Sequence, residues 1–198
     1  MRVTIFDYGA GNLHSLTKAI GSTATELRIE EDPGDAVDTD VLILPGVGAF
    51  SSAAERLQCG REVMREALLA GLPCLGICLG MQLLMDESEE GKGKGLGVLA
   101  GSVTRLRTKR VPQIGWNEIT ACADPVFDSA PVSIAYFANS FVCHPVEESR
   151  VIAWSTHEND RFPAAVRRGN VVGVQFHPEK SSVAGVKFIR TFIEQARA

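Results

Sequence analysis

From Ala67 to Met85 the chain runs nineteen residues without a charge. A stretch that long and apolar can cross a bilayer as one helix. Gly71, Pro73, Gly76 and Gly80 interrupt it, and proline and repeated glycine break a continuous helix. The stretch therefore reads as helix end, turn, buried strand, turn and helix start. A strand hidden on both faces that enters a helix through a glycine turn belongs to a parallel sheet.

The residues before it repeat that pattern. Val3 to Phe6 is an apolar strand, followed by a glycine turn, Gly9-Ala-Gly-Asn12, and a helix to about Ile20. Ala24 to Ile29 is a second strand, and Asp32-Pro-Gly-Asp35 carries turn chemistry and is expected as a loop. Val41 to Leu44 is wholly apolar and ends at Pro45-Gly-Val-Gly48; a helix with Met64, Ala67 and Leu68 on one face follows. Cys74 to Ile77 is the next strand, and Gly80 to Met85 starts another helix.

The second half differs. Gly97 to Leu106, Gly115 to Thr120, Ser133 to Phe137, Val151 to Ser155, Ala164 to Arg167 and Val171 to Phe176 are strand candidates with few helices between them. They predict antiparallel pairs. The chain closes in an amphipathic helix with Val186, Ile189, Ile193 and Ala196 at 3–4 spacing. The whole predicts an α/β fold: a central, mostly parallel sheet with flanking helices and extra antiparallel strands in the second half. At 198 residues, a single domain over 1–198 is the default.

Composition narrows the class. With 45% hydrophobic and 22% charged residues, the chain is not a disordered one. A net charge of −4 gives no basic excess pointing to nucleic acid. Cys59, Cys74, Cys78, Cys122 and Cys143 are odd in number and lack paired spacing, and no signal peptide precedes them. They read as reduced thiols in a cytoplasmic protein.

Gly76-Ile-Cys78-Leu-Gly80 lies between an apolar strand and a helix. This is the nucleophile-elbow pattern G-x-S-x-G with sulfur replacing oxygen. Small neighbours permit a tight turn, and the helix start directs N–H groups and a positive dipole end at the sulfur, which favours the thiolate. The plain alternative is a structural cysteine between packing glycines. Cys74, four residues earlier, lacks the redox spacing and is assigned to the core.

A cysteine nucleophile needs a base. His177 follows the apolar strand at the edge of the sheet that carries the elbow. Glu179 lies two residues on, where a carboxylate can orient the ring and stabilise its cation. The plain alternative is a loop histidine, and His14, His144 and His157 are read as surface or turn residues. Gly46, Val47 and Gly48 follow a parallel strand at the same edge, so the loop is a candidate oxyanion donor beside the N–H of Leu79.

Other patterns fail. Gly9-Ala-Gly11 is not completed by a third glycine, since position 14 is His14. Gly91-Lys-Gly-Lys-Gly95 is not a phosphate loop and reads as a mobile surface loop. His177-Pro-Glu179 matches half of a zinc deaminase pattern, but the other half is missing. Arg105, Arg107, Lys109 and Arg110 are either a solvated strand edge and turn or a contact patch for an acidic partner.

Taken together, Pro-Gly-Val-Gly at 45–48, Gly-Ile-Cys-Leu-Gly-Met-Gln at 76–82 and His-Pro-Glu at 177–179 resemble the class I glutamine amidotransferases, a flavodoxin-like fold family. Glu-Ser-Glu-Glu at 87–90, Gly-Trp-Asn at 115–117 and His-Pro-Glu-Lys-Ser-Ser at 177–182 are similar to one branch, the glutaminase subunits of imidazole glycerol phosphate synthase. The resemblance covers nearly the whole chain, from Tyr-Gly-Ala-Gly-Asn at 8–12 to the last helix.

It implies hydrolysis of L-glutamine to L-glutamate and ammonia by Cys78, His177 and Glu179, with Gly46 to Gly48 and Leu79 as the oxyanion hole. It places glutamine on Gln82 and Glu90, and on the segment with Asn139 and Ser140, where Ala-Asn-Ser-Phe at 138–141 departs from the family's usual Val-His-Ser-Tyr. It implies no cofactor and no metal, and a heterodimer with a cyclase subunit that consumes the ammonia in histidine biosynthesis. Trp116, Asn117, Tyr136 and Lys180 would face that partner. Another cysteine hydrolase or amidotransferase of the same fold, or a non-catalytic binding subunit, would share the architecture.

Overall fold

A computed structural model describes residues 1–9 and 13–197 of the chain. The first half alternates strand and helix: β1 (Arg2–Phe6), α1 (Leu13–Ile20), β2 (Glu26–Glu30), α2 (Pro33–Ala36), β3 (Val41–Leu44), α3 (Phe50–Leu57), α4 (Arg61–Leu69), β4 (Cys74–Ile77) and α5 (Leu79–Leu83). The second half holds β5 (Glu87–Ser88), β6 (Gly101–Arg105), β7 (Gln113–Glu118), α6 (Pro125–Ser129), β8 (Ile134–Asn139), β9 (Phe141–Pro145), β10 (Val151–His157), β11 (Asp160–Arg168), β12 (Val171–Val174) and α7 (Ser182–Gln195).

Seven strands form the main sheet in the order β10-β11-β12-β4-β3-β1-β2. From β12 to β2 every pair is parallel; β10-β11 and β11-β12 are antiparallel. The apolar alternation explains the burial. Val41 and Ile43 of β3 enter one core, and Leu42 and Leu44 enter the other on the opposite face. Helix α7 seals the first core with Phe188, Ile189, Phe192 and Ile193, and α3 and α4 seal the second with Leu57, Met64 and Leu68. Two small sheets, β5-β6-β9 and the hairpin β7-β8, are built beside this frame.

Several expectations shift. The glycine turn at 9–12 lies, beyond Gly9, outside the described residues. Asp32 to Asp35 is not a loop: Asp32 caps α2, its Oδ1 accepting from the N–H groups of Gly34 at 2.7 Å and Asp35 at 3.1 Å, with Pro33 in the first turn. A turn and a helix start use the same residue types. The region after Gly48 holds two helices, divided at Gly60, where a Cβ would lie 2.6 Å from the Pro33 side chain. The strand expected over Gly97 to Leu106 is confined to Gly101–Arg105, and β5, β9 and α6 were not expected. No helix among the described residues is long and apolar enough to cross a membrane.

Acidic side chains hold the backbone of the basic run and pair with one of its side chains. The backbone N–H groups of Arg105, Arg107 and Lys109 donate to the carboxylates of Glu89, Asp160 and Glu158, and the Arg110 guanidinium pairs with Glu158 at 3.2 Å. The loop Gly91 to Gly95 exposes Lys92 to Lys94 but is tied at its end. There, the Gly95 N–H donates to the Asp86 carbonyl, and a Cβ would lie 2.0 Å from the Met85 carbonyl oxygen.

Candidate active site

Cys78 stands alone between β4 and α5 with φ 46° and ψ −100°. A non-glycine residue rarely occupies that region, and the strain persists only when the surroundings enforce it. Here they do. The Cys78 N–H donates to the Val174 carbonyl of β12 at 2.7 Å, and its carbonyl accepts from the Gln82 N–H at 3.1 Å. A Cβ on Gly76 would lie 2.7 Å from the Gly80 carbonyl oxygen, and one on Gly80 would lie 2.1 Å from the Leu44 carbonyl oxygen. Both glycines are therefore required for chain to pass chain. Leu79 opens α5, and an N–H in a first helical turn has no intrahelical acceptor.

The extension of β12 carries His177, the expected base. His177 is 1% exposed, and its Nδ1 lies 2.9 Å from Glu179 Oε1. The same ring lines one cavity with Cys78. Burial works against the charged imidazole, but the hydrogen bonds and charges of Cys78 and Glu179 outweigh it and raise the ring to about 9. Cys78, His177 and Glu179, the three side chains expected from sequence to act together, thus lie at one place in the fold.

A cavity of about 250 Å³ opens on this group. Gly46, Val47 and Gly48 line one side, with Gly48 at φ 121° and Gly46 so close that a Cβ would lie 3.0 Å from His177 Cε1. Leu79, Gln82 and Glu90 line it as well, as do Asn139, Ser140 and Lys180. The Phe141 carbonyl accepts both the Gln82 amide at 3.3 Å and the Asn139 amide at 3.1 Å. Glu90 accepts from the Phe50 N–H at 2.9 Å, which ties the start of α3 to the cavity.

The residues assigned to a partner divide. Trp116 and Tyr136 pair across β7 and β8, their rings edge-on at 6.2 Å, and Trp116 is exposed beside Ile114 and Ile134. Lys180 is exposed and also reaches the cavity. Asn117 is not brought to that face: its side-chain amide donates to the Thr156 carbonyl at 2.9 Å, since successive strand residues point to opposite sides.

Two residues of the site escaped the sequence reading. Gln175, fully buried, donates from Nε2 to Cys78 Sγ at 3.4 Å. Its signal was a lone amide in the apolar run from Val171 to Phe176. Ser181, also fully buried, donates to the His177 carbonyl at 2.7 Å and accepts from the Tyr136 N–H at 2.9 Å. The His177 N–H donates in turn to the Tyr136 carbonyl. Ser181 stands in the His-Pro-Glu-Lys-Ser-Ser run, but no local pattern marks its bond to Tyr136, which lies on another strand.

The remaining thiols and histidines are not among the residues that line this cavity. Cys74 is buried, and burial pushes its thiol up. Burial and the nearby Cys78 push up Cys143, and do the same to the Tyr8 hydroxyl. His14 is exposed on α1, His144 lies half-buried on β9, and the His157 ring meets the Arg110 carbonyl. No cluster of three or more His, Cys, Asp or Glu suited to a metal occurs among the described residues.

A cysteine elbow, a histidine–glutamate pair and a glycine loop on an α/β sheet define a class, and residues 4–196 match the sequence model of one, "Glutamine amidotransferase class-I". A solved structure, "Crystal structure of glutamine amidotransferase", shares the fold with a TM-score of 0.77 at 20% identity, over 99% of each chain. Two relatives carry a narrower name, "Imidazole glycerol phosphate synthase subunit HisH". That of Chlorobaculum tepidum is 42% identical over 97% of this chain and 99% of its own length. That of Acaryochloris marina is 37% identical over 99% of this chain and 95% of its own. The chain belongs to the class I glutamine amidotransferases and, within them, to the family of imidazole glycerol phosphate synthase subunit HisH.

Proposed function

We propose that this chain is the cytoplasmic glutaminase subunit of an imidazole glycerol phosphate synthase, a single amidotransferase domain that hydrolyses L-glutamine and passes ammonia to a cyclase subunit. The observation that carries the chemistry is the His177 ring, which shares one cavity with Cys78 and is hydrogen-bonded to Glu179 through Nδ1. Membership of the HisH family supports the partner.

The Cys78 sulfur attacks the side-chain amide carbon of glutamine. The N–H of Leu79 and the loop Gly46 to Gly48 receive the developing oxyanion, a donor of that kind contributing about 3 kcal/mol. His177 gives its proton to the departing nitrogen as the C–N bond breaks, leaving a γ-glutamyl thioester. Acylation then removes the sulfur's charge. His177 loses one of the partners that raise it, burial again opposes its cation, and the ring becomes a base able to take a proton from water. Glu179 keeps the ring oriented through both steps. Glutamine's amino-acid end occupies the side of the cavity with Gln82, Glu90, Asn139 and Ser140. Trp116, Tyr136 and Lys180 meet the cyclase, and a peptide rotation in the glycine loop completes the oxyanion hole in the complex.

The test is glutamate release by the purified chain with and without a cyclase subunit and its nucleotide ligand. Strong activation by the cyclase is expected, and Cys78→Ala should lower turnover by about a thousandfold or more. Turnover unchanged by the cyclase removes the gating; turnover retained in Cys78→Ala removes the nucleophile.

A further inference from the structure

Gln175 touches the Cys78 sulfur, and the mechanism above does not use it. It has no exposed surface, and its carboxamide oxygen is buried without a partner. Leaving a polar group so is destabilising. Its amide N–H₂ makes one contact, to Cys78 Sγ at 3.4 Å. The sheet register makes that contact unavoidable. Val174 pairs with Ile77 in parallel β12 and β4, so the next residues, Gln175 and Cys78, stand side by side. Two residues further on, His177 comes to the cavity that Cys78 lines, while Phe176 between them packs on Phe137 and Phe188. One strand extension thus brings two N–H-bearing side chains to the Cys78 site, at the period of a strand.

The two donors are not equivalent. His177 gives up its proton and takes another during turnover. The Gln175 amide neither gains nor loses one. We propose that Gln175 is a further catalytic residue, a permanent hydrogen-bond donor to the Cys78 sulfur that holds it in its strained position and stabilises the thiolate. The donor acts twice: on the attacking thiolate, and on the same thiolate as it leaves when the second tetrahedral intermediate collapses to glutamate. In the interval when His177 is neutral, the Gln175 amide is the donor that stays in place. The proposal rests on Cys78 being the nucleophile.

The titratable groups that face Cys78 are His177 from the β12 extension, Tyr8 from the end of β1 and Cys143 from β9, with Glu90 and Lys180 across the cavity. None of them is altered by substituting Gln175. The experiment is the pH dependence of Cys78 alkylation by iodoacetamide in the full chain, read by peptide mapping so that exposed Cys59 and Cys122 are counted separately. In Gln175→Leu the inflection should rise by about one pH unit, with alkylation at neutral pH about tenfold slower. Glutamine turnover should lose kcat with little change in KM. Gln175→Glu, nearly the same shape, should shift further in the same direction, and it serves if the leucine variant does not fold. A folded variant with an unmoved inflection overturns the proposal while leaving Cys78 the nucleophile. A wild-type Cys78 no more reactive than Cys59 overturns both.

Discussion

The elbow around Cys78 and the hairpin β7-β8 are built on opposite terms. At the elbow, Gly76 and Gly80 sit where any side chain meets backbone within 3 Å. On the hairpin, Gly115 has nothing within 4 Å of where its Cβ would be, and Ile114, Trp116 and Ile134 stand in solvent. The first region spends its packing on holding one strained residue. The second leaves an apolar face unspent, which suits docking. The two regions touch at Tyr136, whose backbone bonds Ser181 and His177. An exposed face is thereby tied by hydrogen bonds to the buried base.

Three measurements bear on that contrast, taken from the largest expected effect. Gly80→Ala forces a Cβ onto the Leu44 carbonyl and should cost about 3 kcal/mol or more in urea denaturation. Gly115→Ala, at φ 130° but in open space, should cost only backbone strain, about 1–2 kcal/mol. Equal losses would erase the distinction between the regions.

The second concerns His177. Its folded value of about 9 lies above the ordinary 6.5. A group raised on folding contributes stability that is complete below about pH 6.5 and lost as pH rises through about 9. The contribution should be on the order of 1–3 kcal/mol, read from denaturation midpoints at both ends of that window. NMR titration of the ring should show its midpoint fall in Cys78→Ala, where one raising partner is gone. A midpoint that stays put would mean that Cys78 is not what charges the ring.

The smallest effect on the fold is expected at the hairpin. Trp116→Ala should leave stability within about 0.5 kcal/mol and weaken cyclase binding by about 2 kcal/mol. Asn117→Ala should do the reverse, costing about 1 kcal/mol of stability through the lost bond to Thr156 and little affinity. Calorimetric titration with the cyclase separates the two. Loss of affinity from Asn117→Ala alone would show that the docking face is not the exposed one.

What the sequence by itself determined is local. The all-apolar runs Val41 to Leu44 and Cys74 to Ile77 marked strands buried on both faces, because such residues leave no side for water. Gly-x-Cys-x-Gly marked the elbow, because only that spacing lets a strand turn sharply into a helix around a nucleophile. His177 and Glu179, two apart, could be read as a pair. What only the tertiary structure decided was set by contacts between distant segments. Asn117 turned inward because Thr156 of another strand lies there. Gln175 joined the site because sheet register sets it beside Cys78, and Ser181 because Tyr136 of another strand bonds both it and His177. Local pattern fixes which residues a segment hides, but the partner of a buried polar group is chosen by whichever remote strand the sheet sets beside it.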